Sequence, residues 1–344
     1  MAPGPSRKKS TIFDVAALAG VSIKTVSRVV NREAGVHEKT QAKVEDAIAR
    51  LSYRPNIAAR GLSGRRSYVV GLVYENPHEF SYMKDVLNGA LRACEREGYT
   101  LLLRPVTLPD RALAENIRQF SIQTSMDGII LPAPLGDIDE VQMLLKELAL
   151  PSALIAAKTR GEGSLNVLGN DEEASYMVTR YVFEQGHSRI GFIKGHPDHG
   201  ATEKRLRGYR RCLKDHGLVY DRSLVKPGHF DFESGRDAAR KLLSMSERPT
   251  AIIASNDDMA AGVLFEAHER ALQVPGDLTV IGFDDTPVAS HVWPPLTTVR
   301  QPIIEMAEAA TQMLIRQLRG ESVVVPDAPF DCELIVRQSS GPPR

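Results

Sequence analysis

The side chains best suited to specific chemistry lie on a short segment near the beginning of the chain. Over residues 23–31, Val26, Val29 and Val30 recur at helical spacing, so one side of a short helix is apolar. The opposite side presents Ile23, Lys24, Ser27, Arg28 and Asn31. Arginine donates two hydrogen bonds to guanine, lysine reaches guanine or a phosphate, and isoleucine contacts a thymine methyl. This face therefore predicts contact with the edges of DNA bases.

A second set of polar residues is predicted at the ends of strands. Asn256 and Asp284 each follow a predicted strand, and Arg205 lies in the first turns of a helix that follows another. An amide, a carboxylate and a guanidinium that converge on one cleft satisfy several hydroxyl groups at once, as in sugar recognition. The alternative is a purely structural role for all three.

The first set requires a helix-turn-helix to position it. An apolar face of helical spacing precedes the recognition segment, formed by Ile12, Val15, Ala16 and Ala19. Gly20 interrupts that pattern, and Ser22 is a good N-cap for the second helix. A third helix is predicted over 38–52, with His37 as a poorer cap. Two short helices joined by a glycine-bearing turn place the second helix in the major groove.

The charge distribution agrees with a DNA partner. Residues 1–66 contain 13 Lys and Arg against 5 Asp and Glu, a net charge of +8. The chain totals are 43 and 43, so the remainder carries 30 against 38, a net charge of −8. The basic head suits a polyphosphate, and the acidic body confines contact to the head.

From residue 68 onward, short apolar runs alternate with longer amphipathic ones, which predicts parallel sheets covered by helices on both faces. Strands are predicted at 68–74, 99–104, 128–131, 152–156, 166–168, 189–194, 251–255 and 278–283. Helices are predicted at 82–97, 112–124, 138–148, 172–185, 203–216, 233–245 and 259–270. So many strands favour two doubly wound lobes, and the cleft between two such lobes is a ligand site.

Composition limits the other classes. No apolar run approaches the roughly 20 residues that span a bilayer, and the first ten residues lack the apolar stretch of a signal peptide. Three scattered cysteines, Cys94, Cys212 and Cys332, fit a reducing cytoplasm and have no metal-ligand spacing. We therefore expect a cytoplasmic, nucleoid-associated protein without a cofactor or metal.

The chain resembles the lactose/galactose-repressor family of bacterial transcription regulators from about residue 11 to 339. The motifs that carry the resemblance are Asp14-Val-Ala, Gly20-Val-Ser, Thr25-Val-Ser-Arg-Val-Val-Asn31, Tyr53-Arg-Pro-Asn56, Ala59-Arg-Gly-Leu62, Gly186-His187, Arg205-Leu-Arg-Gly-Tyr209, Ser255-Asn-Asp-Asp-Met-Ala-Ala-Gly262, Gly282-Phe-Asp-Asp285 and Pro295-Leu-Thr-Thr-Val-Arg-Gln-Pro302. The resemblance implies an all-α helix-turn-helix domain followed by an α/β core of two doubly wound, periplasmic-binding-protein-like lobes. It also implies a homodimer on a palindromic operator.

The resemblance assigns DNA contacts to individual residues. Ile23, Lys24 and Arg28 fall on the family's base-reading positions, with phosphate neutralisation as the alternative for the two cations. Thr25 and Ser27 suit phosphates or the turn itself. The segment 56–62 is too short to be helical alone and is expected to fold when two copies pair in the minor groove. Within this segment, Asn56 is expected to be a cap and Ala59 a helix former. Leu62 is expected to wedge into a central base step.

The resemblance also extends the ligand site. It adds His199. On the first lobe, Asn76 and Phe80 follow the first predicted strand, and the Phe80 ring would stack on the ligand. A structural role is the alternative for these three residues. Asn170 stands where the family usually has Asp, which leaves open whether Asn170 or Asp171 faces the ligand. We expect Trp293 to pack where the chain crosses between lobes.

The predicted domains are a disordered arm (1–10), the helix-turn-helix domain (11–54), a hinge helix or linker (55–66) and the two-lobed core (67–340). The N-lobe is expected to comprise 67–167 and 299–326, and the C-lobe 168–296 and 327–340. The last six residues, 339–344, look disordered and lack a leucine heptad, which argues against a tail-mediated tetramer.

Together these features predict a repressor of carbohydrate uptake or breakdown genes that a small sugar releases from its operator. One alternative is a repressor that uses a purine or another metabolite as corepressor. A hydrolase is disfavoured because no nucleophile elbow, phosphate loop or metal-spaced histidine cluster is present. A transport-type binding protein is disfavoured because it has no use for a helix-turn-helix.

Overall fold

The computed structural model describes residues 10–30, 35–53, 66–75, 80–158, 165–325 and 329–344. The chain divides into two compact units, residues 1–68 and 69–344.

The first unit contains the three predicted helices: α1 (Ile12–Ala19), α2 (Ile23–Val30) and α3 (Glu38–Leu51). Gly20 closes α1 at a φ of 68°, a conformation that glycine adopts without steric cost. The Ser22 hydroxyl accepts a 3.1 Å hydrogen bond from the backbone of Thr25, so the predicted N-cap of α2 is confirmed. The three helices bury Val15, Ala16, Val26, Val44 and Ala47 in one small core.

The third helix is capped as the sequence suggested. His37 occupies the N-cap of α3, and its Nδ1 accepts a long 3.4 Å bond from the backbone N–H of Lys39. The helix begins there despite this weak cap, since it buries Val44 and Ala47 against the other two helices.

The second unit begins with a five-stranded parallel sheet. Its strands are β1 (Val69–Glu75), β2 (Thr100–Val106), β3 (Gly128–Pro132), β4 (Ser152–Ile155) and β5 (Leu165–Val167), in the order β2-β1-β3-β4-β5. Val70 pairs with Leu101 on one side and with Gly128 on the other. The connecting helices are α4 (Phe80–Glu97), α5 (Leu113–Thr124) and α6 (Asp139–Glu147). The strands β3 and β4 are wholly buried, as expected of a sheet covered on both faces.

A second parallel sheet follows in the chain. It has β6 (Ile190–Ile193), β7 (Val225–Lys226), β8 (Ala251–Ala254) and β9 (Thr279–Ile281), in the order β7-β6-β8-β9. Its helices are α7 (Asp171–Glu184), α8 (Gly200–Asp215), α9 (Phe232–Leu243), α10 (Asp257–Glu269) and the short α11 (Pro287–His291). The prediction of two doubly wound sheets is therefore confirmed.

After the second sheet the chain returns to the first. Strand β10 (Thr298–Arg300) leads into α12 (Ile303–Leu318), which packs on α4 and on strands of the five-stranded sheet. Strand β11 (Glu333–Ile335) then pairs antiparallel with β10.

Two expectations about the second unit are wrong. Residues 339–344 are ordered: the Ser339 hydroxyl is buried between Val280 O and Thr297 N, and the His187 ring nitrogen bonds Gly341 O at 2.9 Å. These hydrogen bonds hold the tail in place, because they satisfy buried polar groups. Trp293 does not pack in a core, since 83% of its surface is exposed.

Among the described residues, no helix is long and apolar enough to cross a membrane. The three cysteines are free thiols, with Cys94 and Cys212 buried and Cys332 half-buried.

Candidate functional site

The outward face of α2 carries the side chains expected to contact bases. Ile23, Lys24 and Arg28 are exposed, with Ile23 41% accessible despite its apolar side chain. Thr25 and Ser27 are half-buried beside them, and the Thr25 hydroxyl lies 2.9 Å from that of Ser22. Thr25 therefore takes part in the helix cap, whereas Ile23, Lys24 and Arg28 are exposed on the outward face of the helix.

Several predicted site residues lie outside the described part of the chain: Asn31, Asn56, Ala59, Leu62 and Asn76. Phe80 begins α4, but its side chain is also outside the described part.

A cavity of about 150 Å³, lined by both apolar and polar groups, lies within the second unit. It is lined by Glu75, Tyr82, Met83, Ala133, Ala156, Asp171, His199, Ala201, Arg205, Phe230, Asn256, Asp284 and Gln301. Glu75 ends β1, whereas Ala133, Ala156 and Asn256 follow β3, β4 and β8. The cavity thus lies where the carboxyl ends of strands from both sheets meet, which is the usual ligand position in open parallel sheets. Its volume accommodates on the order of ten waters, enough for a small polar molecule.

Arg205 is the central charged group of this cavity. Only 4% of its surface is exposed, and its Nε donates a 2.9 Å hydrogen bond to Asp171 Oδ1. A second guanidinium nitrogen lies 3.8 Å from Asp284 Oδ1, and a third donates to the backbone carbonyl of Ser255. The guanidinium also stacks 3.6 Å above the Phe283 ring. These contacts hold one planar cation between two carboxylates, a geometry that lysine does not reproduce.

Asp284 is held in an unusual backbone conformation. Its φ is 110°, which is costly for a residue with a side chain, so the surroundings must impose it. Its Oδ1 accepts a 2.6 Å hydrogen bond from Gln301, just after β10. Burial raises the pKa of Asp284 to about 7, although Arg205 and the Gln301 bond lower it. The carboxyl group therefore exchanges its proton near neutral pH.

Tyr82 faces the same carboxylates from α4. Burial, together with the charges of Asp284 and Asp171, raises the pKa of its phenol above the usual range. The phenol thus remains protonated, and it is available as a hydrogen-bond donor on the first-sheet side of the cavity.

Asn256 combines two roles. Its side-chain oxygen accepts a 2.9 Å bond from Met259 N and caps α10, while its Nδ2 donates to Phe230 O at 2.7 Å. The neighbouring carboxylate, Asp257, is fully buried and accepts bonds from Thr286 and Thr298. Asp257 therefore ties β10 to the end of the second sheet.

Four of the predicted ligand residues, His199, Arg205, Asn256 and Asp284, line this one cavity. Asp171 lines it as well, whereas Asn170 turns away and bonds Asp331 and the backbone of Cys332. Sequence reasoning missed Glu75, Phe230 and Gln301. Glu75 and Gln301 both sit at carboxyl ends of strands, a signal that was available, whereas the loop position of Phe230 gave none.

Comparison with known proteins gives two family matches. Residues 11–56 match "Bacterial regulatory proteins, lacI family", and residues 179–340 match a "Periplasmic binding protein-like domain". The HTH-type transcriptional repressor PurR of Vibrio atlanticus is 33% identical over 91% of this chain and 93% of its own length. The ribose operon repressor of Escherichia coli K12 is 35% identical over 90% of this chain and 93% of its own length.

Solved structures agree with these relatives. The transcriptional regulator CelR in complex with cellobiose superposes with a TM-score of 0.73 at 30% identity, covering 96% of this chain and all of that one. The lac repressor dimer bound to operator shares the fold, with a TM-score of 0.74 at 24% identity over 97% of this chain and all of that one.

A helix-turn-helix head joined to two parallel-sheet lobes around a cavity defines a DNA-binding protein with a periplasmic-binding-protein-like core. The chain belongs to the lacI family of bacterial regulatory proteins, and it is a DNA-binding transcriptional repressor.

Proposed function

We propose that this repressor senses a small sugar in the cavity around Arg205 and that the sugar releases it from a palindromic operator upstream of carbohydrate uptake or breakdown genes. The observation that carries the proposal is the buried Arg205, held between Asp171 and Asp284 on the cavity wall. Two relatives of the chain are named as repressors.

The polar groups of the cavity favour hydroxyl ligands. Carboxylates accept hydrogen bonds from hydroxyl hydrogens, whereas the Arg205 guanidinium and the Gln301 amide donate to hydroxyl oxygens. Each sugar hydroxyl both donates and accepts, so neighbouring hydroxyls fit this alternation of donors and acceptors. The Phe230 ring adds an apolar face to the lining.

The relatives support the same ligand class. One is named for the ribose operon, and a solved neighbour holds cellobiose. A purine or other flat metabolite that acts as corepressor is the second candidate, because the Phe230 and Tyr82 rings both line the cavity.

We further propose that the chain acts as a homodimer whose two α2 helices read the two half-sites. Ile23, Lys24 and Arg28 would contact bases, and Thr25 and Ser27 would position the head on the backbone. The segment 56–62, outside the described residues, would fold between the heads and convert lobe closure into loss of the DNA-bound form.

Two measurements on the full-length protein test this proposal. Selection from random duplexes should recover a palindrome, and fluorescence anisotropy should then show its release by one member of a sugar panel. Arg205→Ala should still bind that palindrome but no longer respond to the sugar. Lys241→Ala, an exposed change on α9, serves as the matched control.

The outcomes separate the candidates. Tightening on DNA by a purine, with no sugar response, would replace the sugar proposal by the corepressor one. A lack of preference for any palindrome over random duplex at moderate salt would contradict the whole account of DNA reading.

A further inference from the structure

A group of basic side chains gathers around His199, the member of the group that lines the cavity. The ring centroids of His196 and His199 are 5.7 Å apart, and those of His196 and His229 are 5.3 Å apart. The His199 ring lines the cavity and packs edge-on against Phe230, with the centroids 5.2 Å apart. Hydroxyl recognition at Arg205 does not require these three imidazoles, so they call for a separate explanation.

A lysine from the other lobe completes this group. Lys158 follows β4 in the first sheet, and its Nζ lies 3.5 Å from the carbonyl oxygen of Pro197 in the second-sheet lobe. Its side-chain stem lies so close to Gly200 that a Cβ there would approach it to 2.7 Å. Lys158 therefore crosses the cleft beside His199. We call His196, His199, His229 and Lys158 the basic rim.

The electrostatic environment of His199 is positive. Burial, the largest cause, acts together with the nearby His196, Arg205 and Lys158 to lower the pKa of His199 to about 4, and only Asp198 acts in the opposite sense. A positive potential that resists a proton on the imidazole is one that stabilises an anion in the same place. Helix α8 begins directly after His199, and the start of a helix adds a positive dipole end.

The cavity also has acidic groups, which surround Arg205. Asp171 and Asp284 lie 2.9 Å and 3.8 Å from nitrogens of the Arg205 guanidinium, and Glu75 is part of the lining. An anionic substituent is therefore repelled from the carboxylates and attracted to the basic rim, while hydroxyl groups are accepted at the carboxylates. The cavity is polarised, and a ligand that is polarised in the same way is the best match.

We propose that the sugar recognised by this chain carries an anionic substituent, a phosphate ester or a carboxylate, which binds between His199, His196 and Lys158. This inference rests on the sugar-sensing function proposed above and narrows its ligand class. His199 contributes a neutral imidazole N–H, Lys158 contributes an ammonium, and the two approach the anion from different lobes. A bound anion would therefore link the two lobes across the cleft. A neutral sugar would link them less strongly, because it lacks the charge that attracts Lys158.

The test compares matched ligands by isothermal titration calorimetry and thermal shift on the full-length protein. The panel pairs ribose with ribose 5-phosphate, and glucose with glucose 6-phosphate and with gluconate, at constant ionic strength. We expect at least one anionic member to bind about tenfold or more tightly than its neutral partner, as charge-assisted hydrogen bonds require. The phosphate and carboxylate arms distinguish the two forms of the anion. Inorganic phosphate alone should raise the melting temperature relative to chloride.

Variants locate the effect. Lys158→Gln should reduce the preference for the anionic sugar to within about threefold while the neutral partner's affinity changes little. His199→Ala should reduce the same preference, together with some loss of affinity for the neutral sugar, because His199 lines the cavity. Lys158→Gln is an exposed change that leaves the core intact, so it keeps the test valid if His199→Ala destabilises the lobe. Lys214→Gln, exposed near the end of the same helix α8, is the control of equal charge and should retain the preference.

Two results would overturn the inference and leave the sugar-sensing proposal in place. One is a neutral sugar that binds as tightly as its charged counterparts, and the other is a preference that survives both rim variants. Failure of every sugar, neutral or charged, would instead refute the proposed function together with this inference.

Discussion

At the scale of single residues, Asp284 combines features that destabilise the folded chain with a position in the candidate ligand site. Its carboxyl group is buried beside Asp171, its backbone has a φ of 110°, and its partners are Arg205 and Gln301. A left-handed backbone at a residue with a side chain costs on the order of 1–3 kcal/mol, and the surrounding contacts must offset this. Such a concentration of cost at one residue is typical of a binding position.

The raised pKa of Asp284, about 7, predicts a pH-dependent stability with a definite sign. An unfolded aspartate has a pKa of about 4, so the folded state holds an extra proton between these values. The stabilisation that this proton provides is present below about pH 4 and is lost as the pH rises through 7. Because asparagine resembles the protonated form, the stability of the wild type relative to Asp284→Asn should fall between pH 5 and pH 8. Urea unfolding without ligand at both pH values measures this change.

Asp139→Asn is the control for this measurement, since Asp139 is an exposed carboxylate in the first turn of α6. It should leave the pH dependence of the wild type unchanged. Parallel curves for the wild type and Asp284→Asn would show that Asp284 keeps an ordinary pKa in solution.

Arg28 supports a prediction about specificity. If its guanidinium forms a bidentate contact with guanine, Arg28→Ala should cost about 1–3 kcal/mol and relax the choice at one base pair. Binding curves on the selected operator and on its single-base variants measure both effects. Equal weakening on every sequence would identify Arg28 as a phosphate contact instead.

Three polar residues of the cavity were predictable from the sequence, whereas the apolar Phe230 was not. Arg205, Asn256 and Asp284 were predictable because polar residues at the carboxyl ends of parallel strands meet at one edge. Phe230 comes from a loop whose path depends on tertiary packing, including the contact of its ring with Gly195. No local pattern of the chain encodes such a contact.

At the scale of elements, the helix pairs of the core pack through glycines. A Cβ at Gly208 in α8 would lie 2.1 Å from the carbonyl oxygen of Glu172 in α7. Gly89 brings α4 against α12 in the same way, and Gly235 brings α9 against α10. The α7–α8 contact matters most for the site, because α7 begins with Asp171 and α8 carries Arg205. The Ser175 hydroxyl reinforces it with a 2.6 Å hydrogen bond to Arg205 O.

Gly208→Ala should therefore force α7 and α8 apart. Overpacking of this kind costs about 1–3 kcal/mol of unfolding free energy, and the Arg205–Asp171 pair should loosen with it. We expect a lower urea midpoint and a weaker sugar response in the same variant. Gly169→Ala is the control, since the nearest atom to its added Cβ is 3.6 Å away and its φ is not positive. A Gly208→Ala variant as stable as that control would show that the helices separate at little cost.

Long periodic elements were predictable, whereas the returning segments were not. Helix α12 has a clear apolar face that includes Ile303, Met306, Ala310 and Leu314, yet our prediction of helices stopped before it. Strands β7, β10 and β11 have only two or three residues each, too few for any periodicity to register. Their positions depend on pairing with distant strands, as does the order of the tail at 339–344.

At the scale of the whole molecule, the opposite charges of the head and body predict how salt acts on the two ligands. The net charge of +8 over residues 1–66 neutralises phosphates and releases counterions, whereas the body, at −8, contributes repulsion only. If two heads of a dimer together contact 6–10 phosphates, operator affinity should fall about 10³- to 10⁵-fold between 50 and 200 mM salt. The affinity for the sugar should change far less with salt, because the ion pair between Arg205 and Asp171 is buried in the cavity. Anisotropy on operator DNA and calorimetry on the sugar, over the same salt series, measure the contrast. An operator affinity that barely responds to salt would mean that the basic head does not track the phosphate backbone, and the charge distribution would then need a different explanation.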